Sequence, residues 1–256
     1  MQSSEVLPAL PSEFTQLQKT PEKIFYRGES SLLDLRKVSI VGSRKAYPYS
    51  RSIVNALATE LAKRDVCVVS GGAMGIDAIA HTGAYPKTIA VLANGLDIVY
   101  PKVNKRLLED MASSALLLSE YDDGVEARPY SFVHRNRLVV ALGEVLVVAQ
   151  ADLNSGSMRS VEFALELGKK IYVLPHRLGE SEGSMRLLGE GKASLITDIR
   201  AFADIFGQAK EISDAFLEFC RQSPSYEEAL SFDAQKLFEY ELQGKVKVVH
   251  GKVTLI

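Results

Sequence analysis

V-S-I-V-G-S-R-K-A-Y-P-Y-S-R, residues 38–51, decides the fold: an apolar β-branched run ends in glycine and leads at once into a helical pattern. A buried strand followed by Gly42, Ser43 and Arg44 places a tight turn, a hydroxyl and a fixed positive charge beside amides at a helix N-terminus, which is the chemistry of an anion site. The same punctuation recurs twice. V-C-V-V runs into Ser70-Gly71-Gly72-Ala73-Met74-Gly75, and V-L-V-V-A-Q runs into Asn154-Ser155-Gly156-Ser157. The three loops are expected to meet.

Outward from this stretch the rhythm is strand then helix. V-S-I-V, V-C-V-V, T-I-A-V-L, A-L-L-L-S, V-L-V-V-A and I-Y-V-L are short and apolar on both faces, as in a covered parallel sheet. Helical spacing lies between them, as in Ser50-Ile53-Leu57-Leu61 and Val161-Phe163-Ala164-Leu167, the latter stopped by Gly168. The expected fold class is α/β, a Rossmann-like doubly wound, mostly parallel sheet. In such sheets ligands bind beyond the carboxyl ends of the strands. Here those ends carry Gly42-Ser43-Arg44, Ser70-Gly71-Gly72, Asn94-Gly95, Ser119-Glu120, Gln150 and Pro175-His176.

Before the first strand, residues 1–36 are broken by Pro8, Pro11 and Pro21 and read as a lead-in packed on the main domain, with Ile24–Tyr26 a short edge strand. The main domain is expected over 37–207 and a polar linker over 208–211. Residues 212–256 offer helical spacing, then K-V-K-V-V-H-G-K-V-T-L-I, a hairpin turning at His250-Gly251. Helices closed by a basic hairpin suggest a small winged-helix-like domain. Lys245, Lys247 and Lys252 are candidates for duplex phosphates, and a solvated hairpin face is the structural alternative.

Composition narrows the chemistry. A net charge of −2 argues against coating nucleic acid through bulk charge, so the distribution matters more. Leu35–Thr59 has no acidic residue but holds Arg36, Lys37, Arg44, Lys45 and Arg51; Ala127–Gly143 has none but holds Arg128, Arg135 and Arg137. Only two cysteines occur, Cys67 and Cys220, so reduced packing residues are expected. His81, His134, His176 and His250 lack ligand spacing, and no metal is expected. Neither G-x-G-x-x-G nor a Walker pattern is present, so no ATP or NAD cofactor is expected. M-Q-S-S-E-V-L-P-A-L-P has no signal-peptide character and no stretch is long and apolar enough to insert in a membrane, which points to the cytoplasm.

Six motifs in order, G-S-R-K-A-Y-P-Y, S-G-G-A-M-G-I-D-A-I-A-H, T-I-A-V-L-A-N-G-L-D-I-V-Y-P, L-L-S-E-Y, S-F-V-H-R-N-R-L-V-V-A-L and S-G-S-M-R-S-V-E-F-A-L-E-L-G, resemble the DNA-processing protein A (DprA, or Smf) family over roughly residues 38–206. The resemblance implies a non-catalytic homodimer that binds and protects incoming single-stranded DNA and loads the RecA recombinase on it during natural transformation. Carried over, Gly42, Ser43, Arg44 and Lys45, then Ser70, Gly71 and Gly72, then Ser155, Gly156 and Ser157 line the DNA-backbone pocket. Arg44 makes the main phosphate contact, Phe132 stacks on a base, and Arg135, Asn136 and Arg137 fill the R-N-R motif. Single strands are held by phosphate-facing cations and aromatic platforms, the residue types found here. Met74, Pro129 and Glu162 depart from the family pattern, which implies either a lower affinity or phosphate contacts redistributed to Arg128 and Arg159.

Structural alternatives stand beside these roles: a helix cap or an ion pair with Glu60 for Arg44, core packing for Phe132, and a domain-internal ion pair for Arg137. Tyr47 and Tyr49 read as turn packing. Two rival functions remain. The chain is also similar to the lysine decarboxylase-like phosphoribohydrolases, which cleave nucleoside monophosphates with P-G-G-x-G-T-x-x-E; here the loop reads N-S-G-S-M-R-S-V-E, with Glu162 as the acid. A ligand-sensing transcription regulator would need a base-reading helix, and Asp233–Leu242 offers only Gln235 and Lys236 among acids.

Overall fold

The computed structural model describes residues 4–209 and 214–255, in two compact units divided after Ala209. The first unit opens with β1 (Glu5–Val6), β2 (Phe25–Gly28) and β3 (Arg36–Gly42). Helices and strands then alternate: α1 (Pro48–Ala62), β4 (Val66–Ser70), α2 (Ile76–Ala84), β5 (Thr88–Leu92), α3 (Lys105–Ser114) and β6 (Leu116–Ser119). The second half continues with α4 (Pro129–Leu142), β7 (Val145–Gln150), α5 (Gly156–Glu166), β8 (Lys170–Val173), α6 (Glu182–Gly189), β9 (Ser194–Leu195) and α7 (Ile199–Asp204).

These strands form one sheet in the order β1-β2-β6-β5-β4-β3-β7-β8-β9. From β6 to β9 every pairing is parallel, while β2 joins β6, and β1 joins β2, antiparallel. The Rossmann-like reading therefore holds, with an antiparallel margin added. Val38 and Ile40 of β3 pack with Val54, Leu57 and Leu61 of α1 and with Phe202 of α7. Val41 belongs to the opposite layer, with Leu138–Leu142 of α4 and Val161 of α5. Helices thus cover both faces, which is why the strands are apolar throughout.

Within the segment 1–36, expected as a lead-in, the described residues 4–36 are woven into this unit. Ile24–Tyr26 does not form the edge, because β1 pairs outside β2 (Glu5 with Tyr26, Val6 with Phe25). Phe14 and Ile24 are fully buried in the same core as α3 and α4. Lys37 is buried as well, its ammonium donating to the Leu33 and Leu35 carbonyls and pairing with Glu13 at 2.9 Å. Apolar side chains and a used-up lysine tie the segment down, so no break separates it from β3.

Part of the 208–211 linker lies outside the described residues. The second unit comprises α8 (Ala215–Cys220), α9 (Tyr226–Leu242), which kinks at Asp233, and the antiparallel pair β10 (Val246–Val249) and β11 (Lys252–Leu255). His250 and Gly251 make the two-residue turn, both with positive φ (50° and 73°), the geometry that matches hairpin twist. Phe216, Cys220, Ala229, Leu237, Val246 and Val253 form its own small core. Cys67 and Cys220 are both free and buried. No helix among the described residues is long and apolar enough to cross a membrane.

Candidate nucleic-acid interface

The loop after β3 is stiffer than its sequence implies. Helix α1 begins only at Pro48, so the amides of Gly42–Arg44 do not sit at its N-terminus. Gln150, at the end of the neighbouring β7, takes over: its carbonyl accepts from the Ser43 N–H (2.8 Å) and its side chain binds the Tyr47 N–H (2.9 Å) and the Lys45 carbonyl (3.2 Å). The Lys45 N–H is bonded to Ser43 Oγ. The Ser43, Lys45 and Tyr47 amides are therefore used within the loop, which holds the chain in place for five residues before proline starts the helix. What the loop offers outward is the Arg44 and Lys45 side chains, both exposed.

The loop after β4 is likewise satisfied internally. Ser70 is fully buried and its hydroxyl donates to the Ile40 carbonyl at 2.6 Å, so it joins strands rather than facing a ligand. The Gly71 and Ala73 N–H groups both donate to the Asp77 carboxylate at 3.2 Å, and Asn104 Nδ2 donates to the Gly72 and Ala73 carbonyls. Burial pushes the Asp77 carboxyl above its ordinary range, opposed by the nearby Arg135 charge and the two amides. Gly75 (φ +77°) must be glycine for a second reason, since a Cβ would stand 2.4 Å from the Ser43 carbonyl oxygen. That approach lets the Ile76 N–H bond Ser43 O and locks the two loops together.

Helix α4 carries the R-N-R motif, and its periodicity divides the residues. Arg135 points into the protein: its guanidinium bonds the Gly71 and Val91 carbonyls and occupies the space where a Gly71 Cβ would stand. Burial lowers its pKa to about 10, which leaves it a cation at neutral pH. Arg137 is buried against Glu120 in a direct ion pair. Arg135 Nη1 and Arg137 Nη2 are thus taken by groups within the unit, while Arg135 still lines the cleft. Asn136 reaches the start of α5, donating to the Gly156 carbonyl at 3.4 Å. Phe132 is half-buried, 5.6 Å from the Tyr100 ring, with the Arg44 guanidinium 5.3 Å from its own centroid.

The third loop is the open one. Helix α5 starts at Gly156 with no side-chain cap, and the hydroxyls of Ser155 and Ser160 are buried without a hydrogen-bond partner. Gly42, Ser43, Arg44, Lys45, Gly71, Phe132, Arg135, Asn136, Ser155, Gly156 and Ser157 all line one cleft of about 710 Å³. Gly72 lines a small recess beside it, with Arg44, Phe132 and Tyr100. Arg128, exposed just before α4, lines neither. Among the described residues Arg44, Lys45, Arg51 and Arg128 carry no ion pair, whereas Arg36 is paired with Glu144 and Arg159 with its neighbour Glu162. The ion pair between Arg44 and Glu60 does not form, since Glu60 holds Lys63 and Arg64. Glu162 does not line the cleft and is paired with Arg159.

Tyr100, Asp77 and Asn104 are the parts that motif reading passed over. An aromatic in a loop beyond a strand end, and an acid five residues after a Gly-Gly pair at a helix start, were the available signals. The arrangement as a whole can hold an anion by side-chain cations, hydroxyls and one helix end, and can offer aromatic faces beside it.

A family model described as DNA recombination-mediator protein A matches residues 6–207. DNA processing protein DprA of Streptococcus pneumoniae is 37% identical over 192 residues, covering 73% of this chain and 67% of that protein. The Mycobacterium tuberculosis relative is 38% identical over 183 residues, and the chain spans about half of its length (47%). DNA processing protein A from Helicobacter pylori, solved for its single-stranded DNA binding mode, superposes with a TM-score of 0.78 at 42% identity, over 79% of this chain and 94% of that one. The Streptococcus pneumoniae structure gives 0.75 at 33% identity, over 81% and 76%. With the Rossmann-like unit, the ordered motifs and these likenesses in agreement, the chain belongs to the DNA-processing protein A family.

Proposed function

We propose that this protein binds single-stranded DNA without turnover, in the cleft at the carboxyl ends of β3, β4 and β7. One observation carries the reading: an exposed, unpaired arginine, Arg44, rests on Phe132 in a cleft lined by all three loops, and Phe132 packs on the half-exposed Tyr100 of the adjoining recess. Phosphate oxygens go to Arg44 and Lys45 and to the uncapped start of α5. Bases stack on the aromatic pair. A cation–π contact at an exposed site contributes roughly 0.5–1 kcal/mol, enough to restrain the guanidinium near the strand's path. The Helicobacter pylori relative, described for its single-stranded DNA binding mode, supports this assignment.

From the family likeness follow the finer parts of the proposal: a homodimer presents two such clefts to one strand, protects it in the cytoplasm and hands it to RecA during transformation. The helices and hairpin of the second unit are the parts of a winged-helix module. Lys247 and Lys252 lie on the hairpin face away from Val246 and Val253, available for a secondary contact to duplex phosphates.

The test is fluorescence anisotropy of a labelled oligothymidylate and of an equal-length duplex across salt, for wild type and Arg44→Ala. The expected result is tighter binding of the single strand, with Arg44→Ala losing affinity and flattening the log–log salt slope by about 0.7, one single-strand phosphate contact. If neither nucleic acid binds and nucleoside monophosphates are hydrolysed, the proposal fails.

A further inference from the structure

Helices α1 and α2 lie side by side and leave an open furrow of about 740 Å³, walled by Arg51, Ser52 and Asn55 of α1 and by Ala78 and Thr82 of α2. Helical spacing makes these walls, since residues three and four apart share a face. At one end the helices close together at Gly83, where a Cβ would stand 2.6 Å from the Asn55 carbonyl oxygen. At the other end the furrow runs into the DNA cleft, because Arg44 lines both. Met74 likewise lines the furrow and the recess that holds Phe132 and Tyr100.

The acid-free stretch Leu35–Thr59 thus supplies a cation that the cleft does not use. Arg51 is exposed, lines the furrow and not the cleft, and has no acidic side chain beside it in the lining. Among the described residues the Ser52 hydroxyl and the Asn55 side-chain amide, both exposed, make no hydrogen bond. Met74 and Val103 add apolar surface, 42% and 71% exposed, against which an unstacked base can lie. Arg51 and Asn55 stand about 6 Å apart along the helix axis. One cation, two neutral hydrogen-bonding groups and apolar side chains spread over that length do not converge on a compact anion. They suit an extended polyanion that carries bases.

We propose that the single strand held in the cleft runs on past Arg44 into this furrow, where Arg51 takes one further phosphate and Ser52 and Asn55 hydrogen-bond the sugar–phosphate chain. This extension rests on the reading of the cleft as a single-strand site, and it gives the strand a direction of exit, across α1 and α2.

The experiment measures the anisotropy of labelled oligothymidylates of about 4 to 16 nucleotides, the span of site sizes for single-strand binding folds, on the full chain. The shortest oligomers that bind should be held by Arg51→Ala as by wild type. Beyond a threshold length Arg51→Ala should lose about fivefold in affinity at low salt, the upper worth of one exposed ion contact, and about 0.7 of the log–log salt slope. The double variant Ser52→Leu, Ala78→Leu fills the furrow from both walls without altering charge. It too should weaken only the long oligomers, and its unchanged hold on the short ones shows that it is folded. Arg44→Ala should weaken every length. The proposal is overturned if Arg51→Ala matches wild type throughout, if it loses equally at every length, or if the folded double variant binds long oligomers as wild type does. Wild-type binding by Arg44→Ala at every length would instead refute the cleft itself, and the extension would fall with it.

Discussion

His81 makes the stability of the first unit pH-dependent in a way that can be computed from its surroundings. The imidazole is fully buried in α2, with Nδ1 2.7 Å from the Thr88 hydroxyl. Thr88 donates its own proton to the Val68 carbonyl, so the ring must donate from Nδ1 and carry a bare lone pair on Nε2, which has no partner. Charging that nitrogen would place a cation in the core. Burial, with a smaller push from Arg135, accordingly lowers the His81 pKa to about 3. The folded pKa lies below the unfolded one, near 6.5, so the unfolded chain binds the extra proton. Stability is full above about pH 6.5 and falls as pH drops toward 3, at about 1.4 kcal/mol per unit. From pH 7.5 to 4.5 this amounts to roughly 2.6 kcal/mol, a substantial part of a domain's typical 5–15. His81→Asn keeps a donor near Nδ1 and removes the titration. Urea unfolding followed by the Val68 methyls should show the slope in wild type and its loss in the variant, whatever the variant's baseline stability. Equal slopes in the two proteins would refute the reasoning.

Three further outcomes are expected. Phe132→Ala should weaken oligothymidylate binding by about 1–3 kcal/mol while leaving the salt slope intact, and a double-mutant cycle with Arg44→Ala should show coupling, read by anisotropy. Gly71→Ala brings a Cβ within 2.7 Å of the Arg135 guanidinium and forces it off two buried carbonyls, so thermal unfolding should reveal a loss on the order of 3 kcal/mol. In the second unit, Tyr240 donates to Asp214, which raises the phenol pKa to about 12; ultraviolet titration should find Asp214→Asn returning it toward 10.

The strands and the meeting of the loops were legible because each is a local pattern: β-branched runs, then glycine and serine. The electrostatics were not. Arg44 and Arg135 look alike in a sequence, yet Arg44 is exposed over Phe132 while Arg135 serves the carbonyls of Gly71 and Val91, 64 and 44 positions away. Arg137 finds its counter-ion in Glu120 on the preceding segment. The same holds for amides: Gln150 and Asp77 consume donors that the Gly-Ser pattern advertises as free. Burial of charge is settled by partners distant in the chain, and spacing alone does not reveal them. The strand at β2 was legible but its place was not: it lies inside β1 rather than at the edge, because its pairing with β6 links Phe25 to Ser119.

The place of β3 in the sheet bears on how the chain is made. Its neighbours are β4, which follows within 30 residues, and β7, whose Val145 pairs with Val38 roughly a hundred positions later. At ribosomal speeds of about 5–20 residues per second, one side of β3 has no partner for roughly 5–20 s after it emerges. That side presents V-S-I-V backbone, a template for pairing with another nascent chain that only the flanking cations Arg36, Lys37, Arg44 and Lys45 guard. The cleft is also incomplete until β7 delivers Gln150 and the loop beyond it. Completing both β3's pairing and the cleft thus waits on the same late strand, β7.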